Sequence, residues 1–140
     1  MRVVRRVVVD TSTLVSAALR SGSVPDQALT KALRSCELCA SEETLRELAT
    51  VMERRKFDRY LDRESRREFV ALMRRMMRLF AVQREDLEAV DPPCRDPGDD
   101  KFLALALACD ADVVISSDDD LLRMHPWRGV AIVSPAEFIA

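Results

Sequence analysis

The segment CRDPGDDKFLALALACDADVVISSDDDLL, residues 94–122, carries the pattern on which the fold prediction depends. A helix-like apolar run, FLALALA, follows one group of acids, and a strand-like run, DVVIS, precedes another. The acids of the two groups are, in chain order, Asp96, Asp99, Asp100, Asp118, Asp119 and Asp120. Short apolar strands that alternate with helices predict a parallel α/β sheet covered on both faces.

The same alternation extends over the rest of the chain. Apolar runs predict strands at VVRRVVVD, CELCAS, LEAVD, DVVIS and GVAIVS. Helical periodicity predicts helices at residues 25–33, 42–52, about 64–80 and 99–108, with a last turn at SPAEF. We therefore expect one α/β domain over residues 1–140, with three α/β/α layers around a parallel sheet of about five strands.

Composition limits the classes of function. A formal charge of −2 argues against a globally basic nucleic-acid binder, so local basic patches matter more, and RRK at residues 54–56 with Arg59 is one. No apolar run approaches the length of about 20 residues that spans a bilayer, and MRVVRRVVVD does not resemble a secretory signal. These features favour a cytoplasmic protein without a membrane partner.

The cysteines and the single histidine offer an alternative metal site. CELC has the spacing of half a zinc site, but the sequence contains no second pair of this spacing, so Cys94 and Cys109 would have to converge with it from separate elements. His125 lies in the turn-like HPWRG. We expect reduced cysteines that serve as small buried residues.

Three acids fall where strands of the predicted sheet end. Asp10 closes the first strand, Asp118 follows DVVIS, and Asp100 opens the helix reached from LEAVD. Ligands of open parallel sheets bind beyond the carboxyl ends of the strands. Two carboxylates about 5 Å apart repel by about 3 kcal/mol at an effective dielectric constant of about 20, so such a group needs a cation, shared protons or a basic partner. Among cations, Mg²⁺ or Mn²⁺ fits these oxygen ligands best, because the sequence has no His or Cys cluster to favour zinc. Each acid alone could instead cap a helix.

Four motifs, taken in order, carry a family resemblance over nearly the whole chain. They are VVVDTSTLVSAAL, TLRELATVM, RDPGDDKFLALALA and VISSDDDLL. Together they resemble the PIN-domain family, and within it the toxin components of bacterial toxin–antitoxin pairs, related to the VapC-type ribonuclease toxins. The resemblance implies a PIN-like fold.

The resemblance also implies a set of site residues. The catalytic and metal-binding acids would be Asp10, Glu47, Asp100 and Asp118. Composition alone does not indicate Glu47, and the choice between Asp99 and Asp100 stays open by one residue. Supporting residues would be Ser12, Asp96, Asp99, Ser116 and Asp120.

The implied activity is a metal-dependent endoribonuclease, in which water activated by Mg²⁺ or Mn²⁺ hydrolyses an RNA phosphodiester bond. Candidate residues for the approach of RNA are Arg54, Arg55, Lys56 and Arg59, although a solvated helix end explains these basic residues about as well. The resemblance further implies a homodimer and a cognate antitoxin. One alternative is a catalytically degenerate PIN fold that binds RNA or protein. A phospho-acceptor receiver domain fits less well, because DTST lacks a second acid and GVAIVSP lacks a lysine.

Overall fold

The computed structural model describes residues 3–140, and a five-stranded parallel sheet lies at its centre. The strands are β1 (Arg6–Val9), β2 (Glu37–Ala40), β3 (Arg78–Leu79), β4 (Val113–Ile115) and β5 (Ala131–Val133). Their order in the sheet is β3-β2-β1-β4-β5. Strand order therefore reverses beside β1, where β1 pairs with β4 in the register Val7↔Val113. This reversal opens a crevice at the carboxyl ends of β1 and β4.

Eight helices connect and cover the strands of the described residues. They are α1 (Thr11–Leu19), α2 (Val24–Ser35), α3 (Glu42–Met52), α4 (Arg63–Met76), α5 (Arg84–Glu88), α6 (Asp100–Ala108), α7 (Asp119–Leu122) and α8 (Pro135–Ile139). Several begin at a side chain that accepts a hydrogen bond from the backbone N–H of the first turn, such as Asp10 for α1 and Ser41 for α3. Such caps satisfy N–H groups that the helix itself leaves unbonded.

Alternation along the strands sends side chains to two separate cores. Val7 and Val9 of β1 pack with residues of α1 to α4, whereas Val8 packs with α6 and with residues around α5 and α7. From Phe102 onwards, helix α6 is apolar on all sides, because it lies between the sheet and the outer segments. The predicted three-layer α/β/α fold with a parallel sheet of five strands is confirmed.

The prediction of a strand at LEAVD is wrong. Residues 84–88 of this region form α5, because Gln83 and Asp86 make a capping box in which the Gln83 N–H donates to Asp86 Oδ2 at 2.9 Å. The remaining strand of the sheet is β3, which lies earlier in the chain and follows α4 directly. Helix α4 ends at Met76, earlier than predicted, since Met77 adopts extended backbone angles and the Phe80 N–H donates to the Ala40 carbonyl of β2.

Arg66 is a fully buried arginine that fixes the segment between α3 and α4. Its Nε donates to the Met52 carbonyl at 2.7 Å, its Nη2 donates to Asp58 Oδ1 at 2.8 Å, and its Nη1 donates to the Leu61 carbonyl. These partners stand before, within and after residues 53–60. One guanidinium group therefore closes the segment into a loop with a defined shape.

Two further expectations concern cysteines and membranes. All four cysteines are free thiols, and three of them are buried, as expected for small core residues. Among residues 3–140, no helix combines the length and the apolar character that a membrane crossing requires.

Candidate active site

A cavity of about 200 Å³ opens at the crevice between the carboxyl ends of β1 and β4. Four carboxylates line this acidic pocket, each from a different part of the chain: Asp10, Glu47, Asp99 and Asp118. Its other lining residues are Thr11, Ser12, Val51, Arg54 and Phe102. A larger cavity of about 570 Å³ lies beside β3 and the start of α3, and its two carboxylates, Glu42 and Glu43, are exposed.

Asp10 is the most buried of the four acids. Its side chain is 3 % exposed, and its Oδ1 accepts a hydrogen bond from the Thr13 N–H at 3.0 Å, which caps α1. The Ser116 hydroxyl donates to Oδ2, and the Ser12 hydroxyl lies 3.3 Å from the same oxygen. Burial raises the pKa of Asp10, and the hydrogen bonds oppose that rise. The strand end thus holds a partly desolvated carboxylate in one orientation.

Ser116 connects two of the acids. While its hydroxyl donates to Asp10, its oxygen also accepts a hydrogen bond from the Asp118 N–H at 2.9 Å. Asp118 in turn caps α7, because its Oδ1 accepts from the Asp120 N–H at 2.9 Å. The hydroxyl therefore sets the position of Asp118 relative to Asp10.

Glu47 reaches the pocket from the middle of α3, one helical turn before Val51. Its carboxylate forms an ion pair with Lys101 Nζ, and both side chains are partly buried. The sequence interpretation did not include Lys101, although it directly follows two acids of a predicted site. In this structure one of the pocket's four negative charges is thus already neutralised by the protein itself.

Asp99 occupies the position that the sequence interpretation gave to Asp100. It ends the 3₁₀ turn Pro97–Asp99, and its Oδ2 is buried without a hydrogen-bond partner among the described residues. Burial, followed by contact with Asp118, raises the pKa of Asp99 to about 7. Asp99 is therefore partly protonated at neutral pH when no cation is bound.

Three of the acids suggested by the sequence lie outside the acidic pocket. Asp100 Oδ1 accepts a hydrogen bond from the Cys94 N–H at 2.7 Å, because one helical residue turns its side chain about 100° away from that of Asp99. Asp96 caps the 3₁₀ turn by accepting from the Gly98 N–H at 2.9 Å. Asp120 contributes its backbone N–H to Asp118, and its carbonyl accepts from Cys94 Sγ at 3.5 Å. The geometry gives these three residues structural contacts instead of places on the pocket.

Of the four basic residues suggested to bind RNA, one lines the acidic pocket and three lie outside it. Arg54 lines the acidic pocket itself, whereas Arg55, Lys56 and Arg59 continue along the exposed segment that Arg66 holds. Within residues 3–140, none of the four forms an ion pair with a carboxylate. Their charges are therefore available to an anionic ligand.

The donor set can be compared with the needs of a metal ion. Residues 3–140 contain no group of three or more His, Cys, Asp or Glu side chains already close enough to hold one. The pocket nevertheless offers only oxygen donors, with four carboxylates and the Ser12 hydroxyl, and the buried Asp99 Oδ2 lacks a partner. Such donors fit a hard divalent cation such as Mg²⁺ or Mn²⁺ by their chemistry.

The raised pKa of Asp99 predicts how stability changes with pH in chelator. The folded protein holds the Asp99 proton up to about pH 7, whereas an unfolded chain releases it near 3.8, the ordinary pKa of an aspartate side chain. The folded state therefore binds this proton more tightly than the unfolded state does, which adds to the free energy of unfolding. This stabilisation is complete below the pKa of Asp99 in the unfolded chain and is lost as the pH rises towards 7. Asparagine does not titrate, so we expect the free energy of unfolding of Asp99→Asn to fall less than that of the wild type when the pH is raised from about 4.5 to about 7.5.

Urea unfolding at the two pH values measures this difference, and Asp119→Asn, which changes an exposed acid outside the pocket, is the control. An equal loss of stability in Asp99→Asn and in the wild type would contradict the placement of Asp99.

Comparison with known proteins gives one family and several related folds. The model of the PIN domain matches residues 6–120. No curated protein matches the chain.

Three solved structures have a similar fold. PAE2754 from Pyrobaculum aerophilum is 14% identical, with a TM-score of 0.64 over 96% of this chain and 95% of that chain. VapBC2 from Rickettsia felis, solved bound to a DNA fragment from their promoter, is 11% identical, with a TM-score of 0.61 over 92% and 98%. VapC20 from Mycobacterium tuberculosis, a sarcin-ricin loop cleaving toxin, is 15% identical, with a TM-score of 0.57 over 89% and 98%. At these identities the three structures support the fold alone.

Proposed function

The chain belongs to the PIN-domain family, and on that premise we propose that it is a Mg²⁺- or Mn²⁺-dependent endoribonuclease, the toxin of a toxin–antitoxin pair. The observation that carries the proposal is the convergence of Asp10, Glu47, Asp99 and Asp118 on one pocket at the strand-order reversal. Proteins of this family are nucleases, and one protein of similar fold, VapC20, is described as cleaving the sarcin-ricin loop.

Each side chain of the pocket has a defined task in this proposal. The four carboxylates would hold the divalent ion, which when bound supplies a Lewis acid for the phosphate and makes water more acidic. The hydroxyls of Ser12 and Ser116 orient Asp10, and Ser116 also positions Asp118. Lys101 balances the charge of Glu47, and Arg54 stands where a phosphate of the substrate would enter.

The products of the reaction should identify its nucleophile. The only histidine, His125, lies outside the pocket, and its Nδ1 accepts a hydrogen bond from the Ile132 N–H at 2.9 Å. The pocket therefore lacks a histidine base that could activate the ribose 2′-hydroxyl. We expect cleavage to leave a 5′-phosphate and a 3′-hydroxyl, and to fall at least about 100-fold in chelator.

Incubation of the purified protein with unstructured and structured RNAs, with Mn²⁺, Mg²⁺ or EDTA, followed by end-group analysis, measures both quantities. Cyclic 2′,3′-phosphate ends, or full activity in EDTA, would contradict the mechanism.

A second candidate function is a degenerate PIN fold that binds RNA or protein without cleaving it. The Lys101–Glu47 ion pair favours it, because Glu47 is already neutralised and would have to exchange Lys101 for a metal ion. The same incubation separates the two functions: RNA that is bound and remains intact with every metal supports the binding module.

We also propose two protein partners. The Lys101–Glu47 pair illustrates that a basic side chain can enter this pocket, so an antitoxin that inserts an Arg or Lys near Asp10 and Asp99 would compete with the metal ion. Competition between a co-purifying partner and Mn²⁺ for binding tests this antitoxin.

A homodimer would cover the exposed apolar side chains of α4 and β3, which are Leu72, Met76 and Leu79. The helix over residues 25–33 offers less apolar surface for a dimer, because Ala28, Leu29 and Ala32 of α2 are buried. Light scattering on the purified chain tests the dimer, and a monomer at tens of micromolar would contradict it.

A further inference from the structure

A second cavity, of about 380 Å³, lies next to the acidic pocket along the same two elements. Helix α1 contributes Ser12 to the acidic pocket and, further along, Leu19 and Arg20 to this second cavity. The segment after α3 likewise contributes Arg54 to the first cavity, and Phe57 and Tyr60 to the second. The two cavities therefore follow one another along α1 and residues 54–60, and we name the surface that contains both the α1 groove.

Tyr60 is the exposed aromatic side chain of the α1 groove. It is 47% exposed, and the Arg20 and Arg59 Cζ atoms lie 5.8 Å and 5.3 Å from the centroid of its ring. Within the described part of the chain, neither arginine forms an ion pair with a carboxylate, whereas Arg63 and Arg67 nearby are both paired with Glu53. Both guanidinium groups lie over the ring itself, so a nucleotide base would stack there in place of one of them, and the displaced cation would then be free to neutralise a phosphate.

The buried Arg66 holds the backbone that carries Tyr60. Its bonds to Met52, Asp58 and Leu61 fix the chain on both sides of residues 53–60, so this segment does not have to be ordered when a ligand arrives. A segment that is positioned in advance loses less entropy on binding.

We propose that Tyr60 is a stacking platform for one unpaired base of the RNA, within about three nucleotides of the phosphate in the acidic pocket. From Ser12 to Leu19, α1 advances about 10 Å, which a fully stacked strand with about 3.4 Å per nucleotide covers in about three steps and a more extended single strand covers in fewer. This inference rests on the proposed function and adds to it that the substrate is single-stranded at this point, because a base inside a duplex is already stacked and paired.

The chain offers a specific probe, since Tyr60 is its only tyrosine. Incorporation of 3-fluorotyrosine gives one ¹⁹F resonance, which can be followed in EDTA so that no RNA is cleaved. The ligands are a single-stranded uridine hexamer, an abasic hexamer with the same phosphates, and the uridine hexamer paired in a duplex. We expect the resonance to shift with the single-stranded hexamer and to shift little with the other two.

Affinities of variants complete the test. Tyr60→Ala and Tyr60→Leu should each bind the uridine hexamer at least about fivefold more weakly, whereas Tyr60→Phe should bind it as the wild type does, because the ring is retained. All three should bind the abasic hexamer with unchanged affinity. Leu87→Ala, which truncates a side chain that is 50% exposed and lines neither cavity, is the control and should change nothing.

Two outcomes would overturn the inference. One is unchanged hexamer affinity in Tyr60→Ala and Tyr60→Leu, or equal losses for the abasic hexamer. The other is a Tyr60 resonance that responds to a synthetic amphipathic Leu/Glu peptide and not to RNA, which would assign the α1 groove to a protein ligand. If RNA is cleaved normally by Tyr60→Ala and bound as tightly, the proposed function stands and this inference fails. If the protein never cleaves RNA but binds it through Tyr60, the proposed nuclease function fails and the stacking role of Tyr60 stands.

Discussion

Asp99→Asn is expected to lower the rate of RNA cleavage at least about 100-fold, whereas Asp100→Asn is expected to change it by less than about fivefold. Asp99 lines the acidic pocket, and its buried Oδ2 has no hydrogen-bond partner there. Substitution by asparagine therefore removes a negative charge that would bind the cation directly. Asp100 instead accepts a hydrogen bond from the Cys94 N–H, and an asparagine oxygen can accept the same bond. Two adjacent acids of the same type should thus behave very differently.

Cleavage of one RNA by the two purified variants in Mn²⁺ measures the contrast, and binding of Mn²⁺ alone gives a readout that does not depend on turnover. Urea unfolding of both variants excludes loss of the fold as the cause. A severe loss in Asp100→Asn with a normal rate in Asp99→Asn would show that the ligand comes from the first residue of α6 and that the pocket is rearranged when metal binds.

Arg66→Met is expected to lower the free energy of unfolding by about 3 kcal/mol. Methionine fills a similar volume, but it leaves the carbonyls of Met52 and Leu61 without the donors they have in this structure. It also releases Asp58 and therefore the shape of the loop between α3 and α4. Urea unfolding monitored by far-UV circular dichroism measures the loss.

The next residue provides the control for this change. Arg67 pairs with Glu53 Oε1 at 2.6 Å, but its side chain is 62% exposed, so water replaces much of what the pair contributes. Arg67→Met should cost less than about 1 kcal/mol. Equal effects of the two substitutions would mean that the buried guanidinium group contributes no more than a surface charge.

The arrangement of layers could be predicted because each apolar run marks a buried element, and the length of the run indicates a strand or a helix. Alternating runs of helical and strand length indicated the parallel sheet, and strand ends indicated Asp10 and Asp118. The error at LEAVD has a local cause, since the capping box of Gln83 and Asp86 outweighs the apolar character of residues 87–91. A capping pair of this kind is readable from sequence only when the helix start is already suspected.

The acids of the pocket were harder to assign than the sheet. Glu47 lies within an ordinary amphipathic helix, so only family resemblance indicates it. The choice of Asp99 over Asp100 depends on a 3₁₀ turn that sets which carboxylate faces inward, and no periodicity of the sequence encodes that turn. Arg66 did have a signal: it precedes Phe69 and Met73 at helical spacing, and a charge on the apolar side of a helix indicates a buried partner.

The pairing of β1 with β4 also determines when during synthesis the acidic pocket can exist. Asp10 and Ser116, whose side chains are hydrogen bonded, stand 106 residues apart in the chain, and Asp99 and Asp118 belong to the same distant region. Strand β2 can pair with β1 much earlier, since Val7 lies beside Leu38. A nascent chain on the ribosome therefore carries Asp10 and Glu47 without their partners until β4 has emerged and docked, and contacts this distant in sequence form late. The pocket on which the proposed nuclease activity depends is therefore incomplete until β4 and the residues after it have been synthesised.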